Sequence, residues 1–141
     1  MKTVVLTCSD RRLWEKMFSF FRKLTKAKKV AFLAVPGSSK RLFGHWSKGT
    51  IEDMETVAKD WAERIIIVGH SDCKAYKPLP LESQYKDMRH AVNFCNANYR
   101  EAKVVLIWAA IDEKENVKLF KVIFDEEKVP SFSKLKNLQD I

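Results

Sequence analysis

The chain has 141 residues, 46% of them apolar and 31% charged, with a formal net charge of +8. That is room for one domain with one sizeable core, and the composition is that of an ordinary globular protein. No apolar run approaches the ~18 residues of a membrane span, which excludes a helical membrane protein.

In chain order, Thr3–Thr7 (TVVLT) is a β-branched run that reads as a buried strand, ending at the polar Cys8-Ser9-Asp10. Leu13, Met17, Phe20, Phe21 and Leu24 recur at helical spacing and predict a helix. Val30–Val35 is a second buried strand, stopped by Pro36-Gly37, and residues 38–49 read as a loop. Thr50 has the character of a helix N-cap with Asp53 three residues on, and Ile51, Met54, Ala58 and Trp61 supply that helix's buried face. Ile65–Val68 is a third strand, ending at Gly69-His70. After Pro78 and Pro80, the stripe Leu81, Tyr85, Met88, Val92, Cys95 and Tyr99 predicts a long amphipathic helix. Val104–Ala110 is a fourth strand and Val117–Phe124 a weaker fifth. The turn between them, Asp112–Asn116, is short enough for an antiparallel hairpin. Residues 125–141 read as a polar, lysine-rich tail that only Phe132, Leu135 and Leu138 could dock.

Strands alternating with helices imply one α/β domain over residues 1–141: a mostly parallel central sheet of about four to five strands, flanked by helices. Ligands of such sheets bind beyond the carboxyl ends of the strands, where the chain order reverses. Cys8 lies just past the first strand, and His70 and Cys73 lie just past the third. If those strands are neighbours, residues 62 apart in sequence meet at one sheet edge. Two thiolates and an imidazole are zinc ligands, with a fourth position left for water or a carboxylate. Each residue alone reads as well as a core thiol or an exposed histidine; only their conjunction favours a metal. Asp10 and Arg12 follow Cys8 at two-residue intervals. An ion pair there could hold the carboxylate off the metal and orient it as a proton acceptor.

These residues also resemble a family. Cys8-Ser9-Asp10-Arg11-Arg12 is similar to the C-x-D-x-R motif of β-class carbonic anhydrases, and Val68–Cys73 resembles their G-H-x-x-C segment. Thr50–Val68 and Val104–Phe124 resemble, in turn, the helix leading into the second zinc strand and the closing strand with its hairpin. The chain would be a short, divergent member. The resemblance implies one Zn²⁺ per chain on Cys8, His70 and Cys73, with Asp10 and Arg12 as a catalytic dyad. It implies hydration of CO₂ to bicarbonate by a zinc-bound hydroxide, and assembly as a homodimer or higher oligomer. In the family's closed form, Asp10 would take the fourth zinc position. Two segments depart from the pattern. Ala34–Ser39 stands where the family has an R-N-A-G-type segment, and Lys74 follows Cys73 where a glycine is usual. The alternative is therefore a carbonic-anhydrase-like zinc protein whose site is closed or reshaped, acting on another small molecule or without catalysis.

Other readings are weaker. A thiol phosphatase needs an arginine six positions after its cysteine, and Trp14 stands there. Nucleic-acid binding rests on charge alone: the basic run Arg22–Lys29 carries no accompanying motif and reads as a solvated face. Cys95 falls on an apolar stripe and reads as a core thiol. His45 could shuttle protons but reads better as a loop histidine among aromatics, and nothing marks His90. Three cysteines behind an N-terminus without a signal peptide's apolar region suggest a cytoplasmic protein with reduced or metal-bound thiols.

Overall fold

The computed structural model describes residues 1–43 and 47–141. Its centre is a six-stranded sheet: β1 (Thr3–Thr7), β2 (Val30–Ala34), β3 (Arg64–His70), β4 (Lys103–Ile111), β5 (Val117–Phe124) and β6 (Pro130–Lys134). The spatial order is β2-β1-β3-β4-β5-β6. The first four strands run parallel, and β5 and β6 turn back antiparallel. The fold is thus α/β with a mostly parallel sheet, as the alternation of strands and helices implied.

Helices cover both faces because the middles of the central strands are apolar on both sides. In β3, Ile65 and Ile67 point to one face and Ile66 and Val68 to the other, all four fully buried. One face packs against α3 (Ser47–Ala58) and α4 (Leu81–Asn98), through Met54, Met88, Ala91 and Cys95. The other packs against α1 (Trp14–Phe20) and α2 (Arg22–Lys26), through Leu13, Met17 and Phe21.

Five details differ from the sequence reading. The first helix is two short segments that break at Phe21 (φ −96°, ψ 14°), which itself is fully buried. Strand β2 is an edge strand and only half-buried, because it pairs with β1 alone. Helix α3 starts at Ser47, so Thr50 is not its cap. Thr50, Met54 and Ala58 recur every four residues and form its buried stripe. On α4 the predicted stripe packs on the core except for Leu81, which is exposed, and Gln84 and Ala91 join Met88 and Cys95 as its most buried residues. The polarity of Gln84 hid its place there. Finally, residues 125–141 are not a loose tail. Pro130–Lys134 forms the sixth strand, laying Phe132 against the rings of Tyr85, Trp108 and Phe120. Alternating Phe132 and Lys134 with serines left no apolar run to signal that strand.

Among the described residues no helix is long and apolar enough to cross a membrane. Cys95 is fully buried, as its place on the stripe implied, and burial pushes its thiol up to about 12. His90 is exposed, its ring edge-on to Phe43. His45 lies outside the described residues.

Candidate metal centre

The chain leaves β1 toward β2 on one side of the sheet and toward β3 on the other, so the order reverses between β1 and β3. Thr3 to Leu6 pair with Arg64 to Ile67 in parallel register, which brings the carboxyl ends of both strands side by side. Cys8 leaves the first, and His70 closes the second. Asp72 takes a left-handed conformation (φ 53°) that turns the chain and returns Cys73 toward Cys8. The two sulfurs stand 4.0 Å apart. The ligand atoms of Cys8, His70 and Cys73 all lie within 4.8 Å of one another, and all three residues are buried. The sheet thus brings together the three residues that the sequence singled out.

Their hydrogen bonds suit a cation. His70 Nδ1 lies 2.7 Å from the Ser71 carbonyl oxygen, which can only accept, so Nδ1 carries the proton and donates it. The lone pair is then on Nε2. That atom is, among the described residues, the one buried side-chain nitrogen or oxygen without a hydrogen-bond partner. An orphaned acceptor beside two sulfurs costs stability unless a cation takes it. The set of two sulfurs and one imidazole nitrogen is the donor chemistry of zinc. The residues present therefore fit the ion.

The thiols are unequal. Cys73 donating to Cys8, helped by the Gly37 amide at 3.4 Å, holds the Cys8 thiol well below the usual thiol range. Cys73 moves up for the same reason, since losing its proton would place a second charge against Cys8. Gly37 itself needs to be glycine: its φ is +80°, and a Cβ there would stand 3.1 Å from that of Ala75. Burial alone would lower His70, but Cys8 and Asp10 outweigh it and raise it.

Asp10 turns to Arg12, not into the cluster of ligand atoms. Its carboxylate accepts from Arg12 Nη2 at 2.7 Å and Nε at 3.0 Å, and from the Arg12 amide at 2.9 Å. Arg12 pulls its pKa down to about 2, so it is ionised throughout the physiological range. Asp10 Oδ2 is 3.9 Å from His70 Nε2. Arg12 is steered in turn by Asp72, through the backbone oxygen at 3.1 Å and the carboxylate at 3.3 Å. Asp72 also pairs with Lys77 at 2.7 Å. An open cleft of about 430 Å³ leads to the site, lined by Cys8, Asp10, Arg12, Pro36 and Lys74 among others. Lys74 is exposed at its rim.

Residues 1–121 match the protein-family model described as "Putative carbonic anhydrase". The chain belongs to that family. Comparison with the curated proteins and with the solved structures returned no match. The matched residues include Cys8, His70 and Cys73, the group that could hold a metal ion.

Several residues around the centre gave no signal in the sequence. Asp72 sits inside the H-x-x-C segment, but its partner Arg12 is 60 residues away. Tyr76, buried behind Cys73, donates to Asp87 of α4 at 2.8 Å and meets Ser39 at 3.4 Å. Burial raises its pKa. Those bonds tie the 3-10 turn after Cys73 to α4 and to the segment that follows β2. Ser38 and Ser39, expected in an open loop, are buried in a 3-10 turn (Ser38–Leu42), Ser38 donating to the Leu6 carbonyl.

Proposed function

We propose that the chain is a zinc-dependent carbonic anhydrase of the β type, which hydrates CO₂ to bicarbonate and releases a proton. The observation that carries this reading is the buried, unpartnered His70 Nε2 within 4.8 Å of two thiols, at the sheet edge of a carbonic anhydrase family member. Cys8, His70 and Cys73 would hold one Zn²⁺ per chain. When bound, the ion supplies the Lewis acidity that makes water a nucleophile near neutral pH.

The remaining roles belong to the chain. Asp10, ionised by Arg12, presents Oδ2 as an acceptor that orients the proton of the nucleophilic water away from the CO₂ carbon. Arg12 is a positioning residue, keeping the carboxylate on itself and out of the ligand cluster. The site opens on the cleft that Lys74 and Arg11 rim, where bicarbonate and the proton leave. We further read the protein as cytoplasmic, which suits three free cysteines, and as a homodimer or higher oligomer, as the resemblance implies.

A second reading keeps the zinc and drops the turnover. It draws on the rewritten segment after β2, where Ser38 and Ser39 spend their hydroxyls on Leu6 and Tyr76 and offer none to the cleft. Metal analysis with stopped-flow CO₂ hydration at pH 7–9 separates the two. The proposal expects one zinc per chain and turnover that Cys73→Ser abolishes. Zinc bound without activity above Cys73→Ser would reject catalysis and leave the second reading. Absence of zinc binding would reject both.

A further inference from the structure

Away from the metal centre, α4 leaves Val104 and Phe124 of the sheet only half-buried. A groove of about 530 Å³ runs there between α4, β4 and β5, within the roughly 300–1,000 Å³ typical of small-molecule sites. Val104 pairs with Ile65 in register and His70 with Ala109, so the groove lies five residues down the strands from the metal ligand. That is about 16 Å along a strand.

The groove has an apolar floor and a cationic rim. Val104 and Leu106 of β4 and Val122 and Phe124 of β5 form the floor. Lys86 and Arg89, one turn apart on α4, and Lys128 in the β5–β6 turn form the rim. No Asp or Glu lines it. Among the described residues none of these three cations has an ion-pair partner. The Arg89 guanidinium lies over the Phe124 ring, 5.3 Å from its centroid, so its charge is held at the junction of floor and rim. An apolar trough closed by unpaired cations is complementary to an anion with an apolar body. A second copy of the chain is a poorer match. Two-fold pairing would lay this surface on itself and set Lys86, Arg89 and Lys128 against their own counterparts.

We propose that this groove is a second ligand site, for a small amphiphilic carboxylate of the fatty-acid class. Its alkyl body lies on Val104 and Phe124, above the buried Leu106 and Val122, and its head group pairs with Arg89 and Lys86. The guanidinium offers the planar fork that a carboxylate takes bidentately.

The test is titration of the zinc-loaded full chain with octanoate, followed by calorimetry and by methyl NMR. Octylammonium and acetate serve as controls for the charge and for the tail. We expect saturable octanoate binding with shifts centred on Val92, Val104, Leu106 and Val122, and no saturation by either control. The double variant Lys86→Gln/Arg89→Gln, which keeps side-chain length and removes both charges, should weaken octanoate at least tenfold. Three results would overturn the proposal: octylammonium binding as tightly as octanoate, the double variant binding like the parent, or shifts confined to another region. A concentration-dependent dimer that protects these methyls would also overturn it, in favour of a second copy.

Discussion

Replacing Arg12 by alanine tests the electrostatic account of the site most directly. Arg12 gives Asp10 two short side-chain hydrogen bonds, at 2.7 and 3.0 Å, between side chains that are each only 14% exposed. Solvent therefore screens the pair little. The Asp10 carboxyl is held at about 2 against an ordinary 3.8, a gap that corresponds to about 2 kcal/mol. The sign follows from the direction. A carboxyl with a lowered folded-state pKa contributes stability above its unfolded pKa and loses it as the pH falls through the folded one. The Arg12 amide bond to Asp10 survives in alanine, so Arg12→Ala should cost about 1–2 kcal/mol at pH 7 and about half that near pH 3. Urea unfolding of the metal-free protein, followed by far-UV circular dichroism across that range, measures both values. Metal-free protein is needed because zinc adds a pH-dependent stabilisation of its own. A loss under about 0.5 kcal/mol at pH 7, or one that does not shrink on acidification, would refute the reasoning.

Further predictions concern the scaffold and the metal. A Cβ on Gly69 would stand 2.8 Å from the Met88 sulfur and 3.1 Å from Trp108, so Gly69→Ala should cost about 1–3 kcal/mol by overpacking. A melting temperature lower by roughly 4–10 °C is the expected reading. Truncation after Asp125 removes β6, uncovers Tyr85, Trp108 and Phe120, and leaves β5 as a bare edge. The truncated chain should melt earlier and aggregate, and size-exclusion chromatography would show it remaining monodisperse if β6 were dispensable. Free zinc at a hundredfold excess over its dissociation constant should add about 2.7 kcal/mol to unfolding. A chelator should remove that increment, Cys73→Ser should lack it, and acidification should diminish it, because the thiols must lose their protons to bind.

How much of this was legible beforehand depended on the kind of information involved. Strands β1, β3 and β4 are continuous apolar runs because helices cover both their faces, and such runs announce themselves. The ligand types at two strand ends were equally readable, since a sulfur or an imidazole is a property of one residue. Strand β6 was not readable. Its stability comes from β5's free edge and from ring contacts of Phe132, and neither exists in the local sequence. The start of α3 and the place of Gln84 on α4's inward face are hidden for a related reason: Thr50 and Gln84 are buried polar residues, placed by packing against the sheet and not by their own polarity.

The same division runs through the candidate site. The sequence by itself determined which groups are available: two thiols, an imidazole, a carboxylate and a guanidinium, spaced so that two strand ends carry them all. Only the tertiary structure decided their arrangement. The β1–β3 register set the sulfurs 4.0 Å apart, the Ser71 carbonyl chose the His70 tautomer, and Arg12 drew Asp10 to itself. The sulfur pair joins residues 65 positions apart, and Asp72 steers Arg12 across 60; such distances are set by how strands pair, which no local pattern encodes.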